Sequence, residues 1–236
     1  MSTLFVLATP IGNLEDCGAR TLRILSEVNH VACEDTRITR RIFERYGIAK
    51  PASLFACHEH NQRSVERKII DLLESGEDIA LACDAGVPGV SDPGFNVVRA
   101  ALEAHHEVDV IPGPTAPITA LIISGLPCSS FTFKGFPPRK AGALRRFFEM
   151  DRDLPHTLVF FESKFRLHQS LAAAYEVLGD RQSAVCIELT KKFQTVKRGY
   201  LSALVPLFEQ RSVKGEITVV IAGDNAKFTR PAQNPP

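Results

Sequence analysis

The chain has 236 residues, 44% apolar and 23% charged, which excludes disorder and collagen-like order and leaves room for one large domain or two small ones. No run nears the ~18 apolar residues of a membrane span, and residues 4–8 are too short, and lack a basic lead, for a signal segment, so a cytoplasmic location is expected. The net charge of +1 conceals an acidic first half (−6 over residues 1–113) and a basic second half (+7 over 114–236), which suggests an anionic partner beside the plainer reading of scattered solvated charge.

Residues 4–8 read as a strand and 14–28 as a helix. A second strand, 30–33, leads to a helix over 36–46, with Ile38, Ile42 and Tyr46 on one face and Gly47 as its C-terminal cap. The third strand is 54–57, and the helix after it runs over 62–75 with Asn61 as N-cap and Gly76 past the end. Strands 79–83 and 108–111, with a helical pattern over 95–102 between them, complete five. Such alternation predicts a parallel sheet covered on both faces. A domain boundary is expected at the turn Ile111-Pro112-Gly113-Pro114. Beyond it, 118–124 is helical, 131–134 and 158–161 are strands, and 165–178 is a helix ended by Gly179. Strands 184–189, 195–198 and 216–222 follow, some too close for helical crossovers, so this sheet should be mixed. The expectation is two α/β domains, 1–113 and 114–225, with a fraying tail over 226–236. Six cysteines without CxxC spacing read as small buried hydrophobes in a reducing compartment.

In a parallel α/β sheet, ligands collect at the carboxyl ends of the strands. Residues 83–94, CDAGVPGVSDPG, follow the fourth strand. Helix initiation accounts for Asp92 as N-cap and Pro93 as the first helical residue. It leaves Asp84-Ala85-Gly86-Val87-Pro88-Gly89 unexplained, and a ligand loop is expected there. The spacing is neither GxGxxG nor a Walker loop. Thr9-Pro10-Ile11-Gly12-Asn13 after the first strand and Pro112-Gly113-Pro114-Thr115-Ala116 after the fifth share this chemistry. Three rigid Gly/Pro loops make a pocket with few charges, suited to a neutral or cationic adenosine-type ligand rather than a bare phosphate.

Glu34-Asp35-Thr36-Arg37 also stands at a strand end. Asp35 either caps the next helix, with Glu34 and Arg37 pairing locally, or the group serves the mouth of a site. His58-Glu59-His60-Asn61 invites a metal reading, but neighbouring residues on an extended segment point oppositely and no partner cluster is evident, so no metal is expected. Loop histidines touching substrate, or a solvated polar loop, remain. Lys134, Arg139, Lys140, Arg145 and Arg146, with Phe136 among them and no acidic residue between, fit a phosphate-tracking edge with a stacking ring, or a basic helix face. Lys191, Lys192, Lys197 and Arg198 form a second such group.

TPIGN (9–13), EDTR (34–37), HEHN (58–61), DAGVPGVSDPG (84–94), PGPTA (112–116), SGLP (124–127), KGFPP (134–138), FFESKFRL (160–167), ELTK (188–191) and GE (215–216) occur in this order. Together they resemble the ribosomal RNA small subunit methyltransferase I family of the tetrapyrrole-methylase superfamily, from residue 4 to about residue 223. The resemblance implies S-adenosyl-L-methionine (SAM) in a cleft between two α/β domains, a homodimer, no membrane or DNA partner, and 2′-O-methylation of a cytidine ribose in the decoding region of 16S ribosomal RNA. It carries cofactor contacts to Pro10, Asp84, Ala85, Gly86, Val87, Pro114, Thr115, Ala116, Glu162 and Leu189. A catalytic rim is expected at Glu34, Arg37, His58, Asn61 and Lys191, because EDTR and HEHN follow the second and third strands beside the cofactor loops and ELTK matches the family's second-domain motif. Arg37 and Lys191 would hold phosphates or stabilise the alkoxide, Asn61 would orient the ribose, and Glu34 or His58 would accept the proton. RNA contacts fall to Lys134, Arg139, Lys140, Arg145, Arg146 and Lys192.

The sequence departs from the family at Cys83, where Ser is usual, and at Val87 (Thr), Ile187 (Arg) and Gln194 (Glu). The family also commonly continues into a helical segment past the point where this sequence stops. A tetrapyrrole C-methyltransferase of the same fold, and a non-catalytic RNA-binding or SAM-sensing module, are the alternatives. EDTR, HEHN and the basic second half favour RNA over a macrocycle, and the ten motifs favour an enzyme.

Overall fold

The computed structural model describes residues 2–58, 61–92, 94–210 and 213–231. Two units divide after Thr115, two residues beyond the boundary expected at 113. In the first, short apolar segments form β1 (Thr3–Leu7), β2 (His30–Cys33), β3 (Ser53–Ala56), β4 (Ile79–Ala82) and β5 (Glu107–Ile111). All pair in parallel in the order β3-β2-β4-β1-β5. Every residue of the central β4 is buried, as a strand covered on both faces requires.

The helices α1 (Ala19–Glu27), α2 (Thr36–Tyr46), α3 (Gln62–Glu74) and α4 (Phe95–Glu103) divide between the faces. Ile24 and Leu25 of α1 and Ile42 and Phe43 of α2 pack with Leu7, Val31, Ala80 and Ile111. Ile69 and Leu73 of α3 and Val97 and Ala101 of α4 pack with Leu4, Val6, Ile79 and Leu81 on the other face. The chain therefore leaves β1 toward one face and the neighbouring β4 toward the opposite one. Adjacent crossovers that diverge open a crevice at the carboxyl ends of the two strands.

The second unit holds α5 (Ala116–Ser124), β6 (Phe131–Phe133), α6 (Ala141–Glu149), β7 (Thr157–Glu162), α7 (Leu167–Leu178), β8 (Asp180–Ile187), β9 (Thr195–Tyr200), α8 (Leu201–Glu209), β10 (Ile217–Ile221) and β11 (Thr229–Arg230). Its sheet runs β11-β8-β10-β7-β6, with β9 also on β8. It is mixed: β6 and β7 are parallel and the other pairs antiparallel. Phe148, Leu171, Leu178, Leu204 and Phe208, from α6, α7 and α8, pack on Phe160, Val185, Val219 and Ile221, while α5 lies against β10 and β8.

Several expectations need correction. The helix expected over 14–28 is a 3-10 turn, Leu14–Asp16, and then α1, because Gly18 is extended and acts as its N-cap. Helix α4 starts at Phe95 with Gly94 as N-cap, so Asp92 does not cap it; Pro93 lies outside the described residues. Strand β8 begins at Asp180, four residues before the apolar run. There Asp180 accepts hydrogen bonds from the N–H and hydroxyl of Ser202, and the buried Arg181 donates to the carbonyl of Arg152. Helix α8 was not expected from the sequence pattern; it carries Pro206 in its interior. The tail expected to fray from residue 226 forms a 3-10 turn (Ala226–Phe228) and pairs Thr229 and Arg230 with β8; residues 232–236 lie outside the described ones. Five cysteines are buried, but Cys128 is exposed. Among the described residues no helix is long and apolar enough to cross a membrane.

Candidate active site

At the crevice the loops after β1 and β4 are tied directly. The N–H of Thr9 donates to the carbonyl of Gly86 (2.8 Å), and the N–H of Gly86 donates to the carbonyl of Thr9 (3.1 Å). The buried Thr9 hydroxyl donates to the carbonyl of Cys83 at 3.0 Å. Gly86 sits at φ +84, a conformation that glycine adopts without the steric cost of a Cβ. A Cβ there would lie 3.7 Å from the side chain of Ile11 and 3.9 Å from the carbonyl oxygen of Pro114. Pro10, Gly86 and Pro114 are thus brought together, with Asp84, Ala85 and Val87 half-buried around them. Thr115 ends the first unit and Ala116 opens α5. Burial, helped by the Asp92 carboxylate, pushes the Cys83 thiol up to about 12, and its Sγ donates to the Ala85 carbonyl at 3.4 Å. A neutral thiol here makes a hydrogen bond that a serine hydroxyl would also make.

Carboxylates lace the neighbouring ends of β2 and β4. Glu34 Oε2 accepts from the N–H of Asp84 (3.3 Å), and Asp84 Oδ1 accepts from the N–H of Asp35 (2.9 Å). Burial first, and then the Glu34 charge, raises Asp84 to about 6. Asp35 caps α2 by accepting from the N–H of Arg37 (2.8 Å), and it pairs with the Arg37 guanidinium (2.5 Å). These bonds hold Asp35 at about 2. Arg37 therefore pairs with Asp35 and not with Glu34, and its side chain is 84% exposed.

Asn61 does not cap α3 with its side chain. Its Nδ2 donates to the carbonyl of Ala56 (2.8 Å), and its Oδ1 accepts from the N–H of His58 (2.9 Å), closing the turn after β3. Its expected role of orienting the ribose competes with this local one. His58 is exposed, while Glu59 and His60 lie outside the described residues. Among the described residues no cluster of three His, Cys, Asp or Glu side chains is placed to hold a metal ion.

In the second unit most of the expected contact residues are engaged locally. Glu188 and Thr190 after β8 have φ +52 and +64. Glu188 Oε1 accepts from Lys191 Nζ (3.0 Å) and from the N–H of Glu216 (2.9 Å), and Lys191 also pairs with Glu216 at 3.0 Å. A Cβ on Gly215 would collide with the Glu188 carboxylate, so only glycine admits it there. Burial pulls Lys191 down, but the two carboxylates outweigh it and leave its pKa raised. Glu162, expected at the cofactor, is buried under the start of α7. Its oxygens accept from the N–H of Ser163 (2.6 Å), from the Ser170 hydroxyl and from Arg166 at 2.7 Å. Leu189 is buried.

Lys134 points inward, where it pairs with Asp151 at 2.5 Å, donates to the carbonyl of Phe147 and lies 4.1 Å over that residue's ring. Its expected phosphate contact is corrected to an internal ion pair. Arg145 pairs with Glu176, and Arg198 donates to the last carbonyls of α5, Ile123 and Ser124. Arg139, Lys140, Arg146 and Lys192 are exposed. Sequence reasoning did not find the Thr9–Gly86 bridge, the Glu34–Asp84 lacing or the Glu188–Gly215 fit. Each joins distant positions, and only the motifs containing them signalled that something was there.

The fold recurs in solved structures. Diphthine synthase aligns at a TM-score of 0.74, with 16% identity over 94% of this chain and 90% of that one. The methyltransferase CobJ aligns at 0.71, with 16% identity over 95% of each. The family model described as Tetrapyrrole (Corrin/Porphyrin) Methylases matches residues 3–205, and the chain belongs to that family. Its relatives there include proteins called ribosomal RNA small subunit methyltransferase I. The one from Mesorhizobium japonicum is 44% identical over 231 residues, 97% of this chain and 78% of that protein. The one from Pseudomonas aeruginosa is 44% identical over 224 residues, 94% and 79%.

Proposed function

We propose that this chain is a SAM-dependent methyltransferase of small-subunit ribosomal RNA, acting on the 2′-oxygen of a cytidine ribose in the decoding region of 16S RNA, in the cytoplasm and as a homodimer. The observation that carries the reading is the crevice between β1 and β4, a rigid, backbone-lined wall pinned by Thr9 and Gly86. The names of relatives that match nearly the whole chain supply the substrate class.

The residues present suit SAM. The crevice offers backbone N–H and C=O groups and two half-buried carboxyls, Asp84 and Asp92, with no lysine or arginine in the loops to repel a cationic ligand. Pro10, Asp84, Ala85, Val87, Pro114, Thr115 and Ala116 would hold the cofactor, with Gly86 fixing the wall. SAM supplies an electrophilic methyl group when bound. The protein's part is to align a ribose hydroxyl with it, exclude water and accept the hydroxyl proton. Glu34, at the end of β2 beside Asp84, takes the proton; His58 is the second candidate. Arg37, held by Asp35 with its guanidinium in solvent, receives a target phosphate. Incubating the protein with methyl-labelled SAM and small ribosomal subunits, naked RNA or a precorrin-type substrate tests this. Label in alkali-resistant dinucleotides, which only a 2′-O-methyl group produces, is expected. Label on a base, or on the macrocycle alone, would overturn the reading.

The homodimer is carried over from the resemblance to the family. Light scattering is expected to give twice the 26.0 kDa chain mass at micromolar concentration. A particle of single-chain mass would exclude the dimer.

A further inference from the structure

Strand direction in the second unit gathers four separate connections onto one edge. β6 runs parallel to β7, and β10 runs antiparallel to both β7 and β8. The carboxyl ends of β6, β7 and β8 therefore share an edge with the start of β10. The connections leaving or entering there carry three exposed rings: Phe136 after β6 (56% exposed), Phe165 after β7 (83%) and Phe193 after β8 (75%). A single exposed phenylalanine calls for no explanation, but three on successive loops of one edge form a surface.

Two of the rings have a cation beside them. Lys164 Nζ lies 4.9 Å from the centroid of Phe165, and Lys192 Nζ lies 5.6 Å from that of Phe193. Phe136 is followed by the exposed Arg139 and Lys140. Of the acidic groups of the same edge, Glu162 is buried and paired with Arg166, while Glu188 and Glu216 share the single cation of Lys191 and Glu216 stays exposed. Phe136 is also braced: its ring is 5.4 Å from that of Phe161, and the carbonyl of the adjacent Pro137 accepts from Arg166 at 3.0 Å. Rings interleaved with cations on a rigid base are what an unpaired nucleic-acid strand requires. Bases stack on the rings, and phosphates meet the lysines.

We propose that Phe136, Phe165 and Phe193, with Lys164 and Lys192, form a stacking surface for an unpaired RNA segment, so that the enzyme grips single-stranded nucleotides of its target. This rests on the reading of RNA as the substrate and goes beyond it by naming the form of RNA and the residues that select it. A protein partner, or a second copy of this chain, would gain from the apolar rings but has no general need of the lysines set beside them.

The test uses the full chain with Phe165→Leu, Phe193→Leu and Phe165→Trp, and separately Lys164→Ala with Lys192→Ala. Binding of a short fluorescent oligoribonucleotide, single-stranded or annealed to its complement, is read by anisotropy at several salt concentrations, with light scattering and methyl transfer to small subunits alongside. Each Phe→Leu should weaken single-strand binding about tenfold, leaving the salt slope and duplex binding unchanged. Phe165→Trp should restore or strengthen it. The lysine pair should lower the single-strand salt slope by about 1.4. Unchanged single-strand affinity in the Leu variants, while wild type methylates subunits and the variants do so with unaltered KM, would overturn this surface and leave the substrate reading intact. A wild type that transfers no methyl group to RNA would instead fail the substrate reading. Loss of the dimer on Phe165→Leu or Phe193→Leu would assign the rings to self-association and overturn the proposal.

Discussion

Asp84→Asn removes a charge that the fold disfavours while keeping an oxygen to accept the N–H of Asp35. Asp84 ionises near 6 in the folded chain against an ordinary 3.8, because burial and then Glu34 oppose the anion. With the folded pKa above the unfolded one, folding favours the protonated form. The group's contribution to stability is therefore fully present below about pH 4 and is lost as pH rises through about 6. A shift of roughly two units corresponds to ~3 kcal/mol at ~1.36 kcal/mol per unit. Asp84 is only half-buried, however, and solvent screening reduces this to about 1 kcal/mol. Urea denaturation across the range from about pH 4 to about pH 8 is the assay, reading the difference between Asp84→Asn and wild type so that other titrating groups cancel. The variant should match wild type at the acid end and exceed its stability by about 1 kcal/mol at neutral pH. A variant less stable than wild type at neutral pH, or a difference that does not vary with pH, would refute the reasoning. If Asp84→Asn is also slower in methyl transfer, the strained carboxylate is kept for function at a cost in stability.

Glu34→Ala, measured at saturating subunit, should lose ~10²–10⁴-fold in turnover with SAM affinity preserved, as loss of a base predicts; a loss confined to His58→Ala would transfer that role. Gly86→Val puts a β-branched side chain at φ +84, so about 1–2 kcal/mol of stability should go, and calorimetry should find SAM binding abolished in the folded variant. Lys134→Met strands the buried Asp151 and should cost ~3–5 kcal/mol in thermal or urea unfolding, much of it recovered by adding Asp151→Asn. Replacing Arg139, Lys140 and Arg146 with Ala should flatten the salt dependence of subunit binding by about one for each phosphate no longer neutralised; an unaltered slope would assign them to plain solvated surface.

The first unit was legible because its signals are local. A buried parallel strand is a short apolar run, its helices are amphipathic, and a left-handed C-cap such as Gly47 is written as a single glycine. The second unit was harder where tertiary bonds override local preference. Asp180 and Arg181 look like loop residues, yet they lie in β8, where Asp180 bonds Ser202 and Arg181 bonds the carbonyl of Arg152. A proline inside α8 hid a helix whose other residues pack on the sheet. The tail is polar by composition, but Arg230 lies 3.8 Å over the ring of Tyr200 and β11 pairs with β8.

The candidate site divides along the same line. Backbone devices, such as the Gly/Pro loops at the crevice, announce themselves because glycine and proline have few other reasons to cluster at a strand end. Charged side chains do not, since sequence states a charge but not its partner. Lys134, Arg139 and Lys140 read alike in one basic run, but Lys134 meets Asp151 across a helix and becomes internal, while the other two stay in solvent. Lys191 and Lys192 are neighbours with opposite fates, one locked by Glu188 and Glu216 and the other lying beside the exposed Phe193 ring. A family motif therefore marks a region of function without separating the residue that touches a ligand from the one that holds the loop in shape. In ELTK and FFESKFRL, Glu188, Lys191 and Glu162 hold the loops, and the loops they hold present Phe193 and Phe165. Within one motif, the residues that hold the loop and those proposed to meet the substrate can thus be different ones, and that is why a substitution at Phe165 is the sharper probe of RNA binding than one at Glu162.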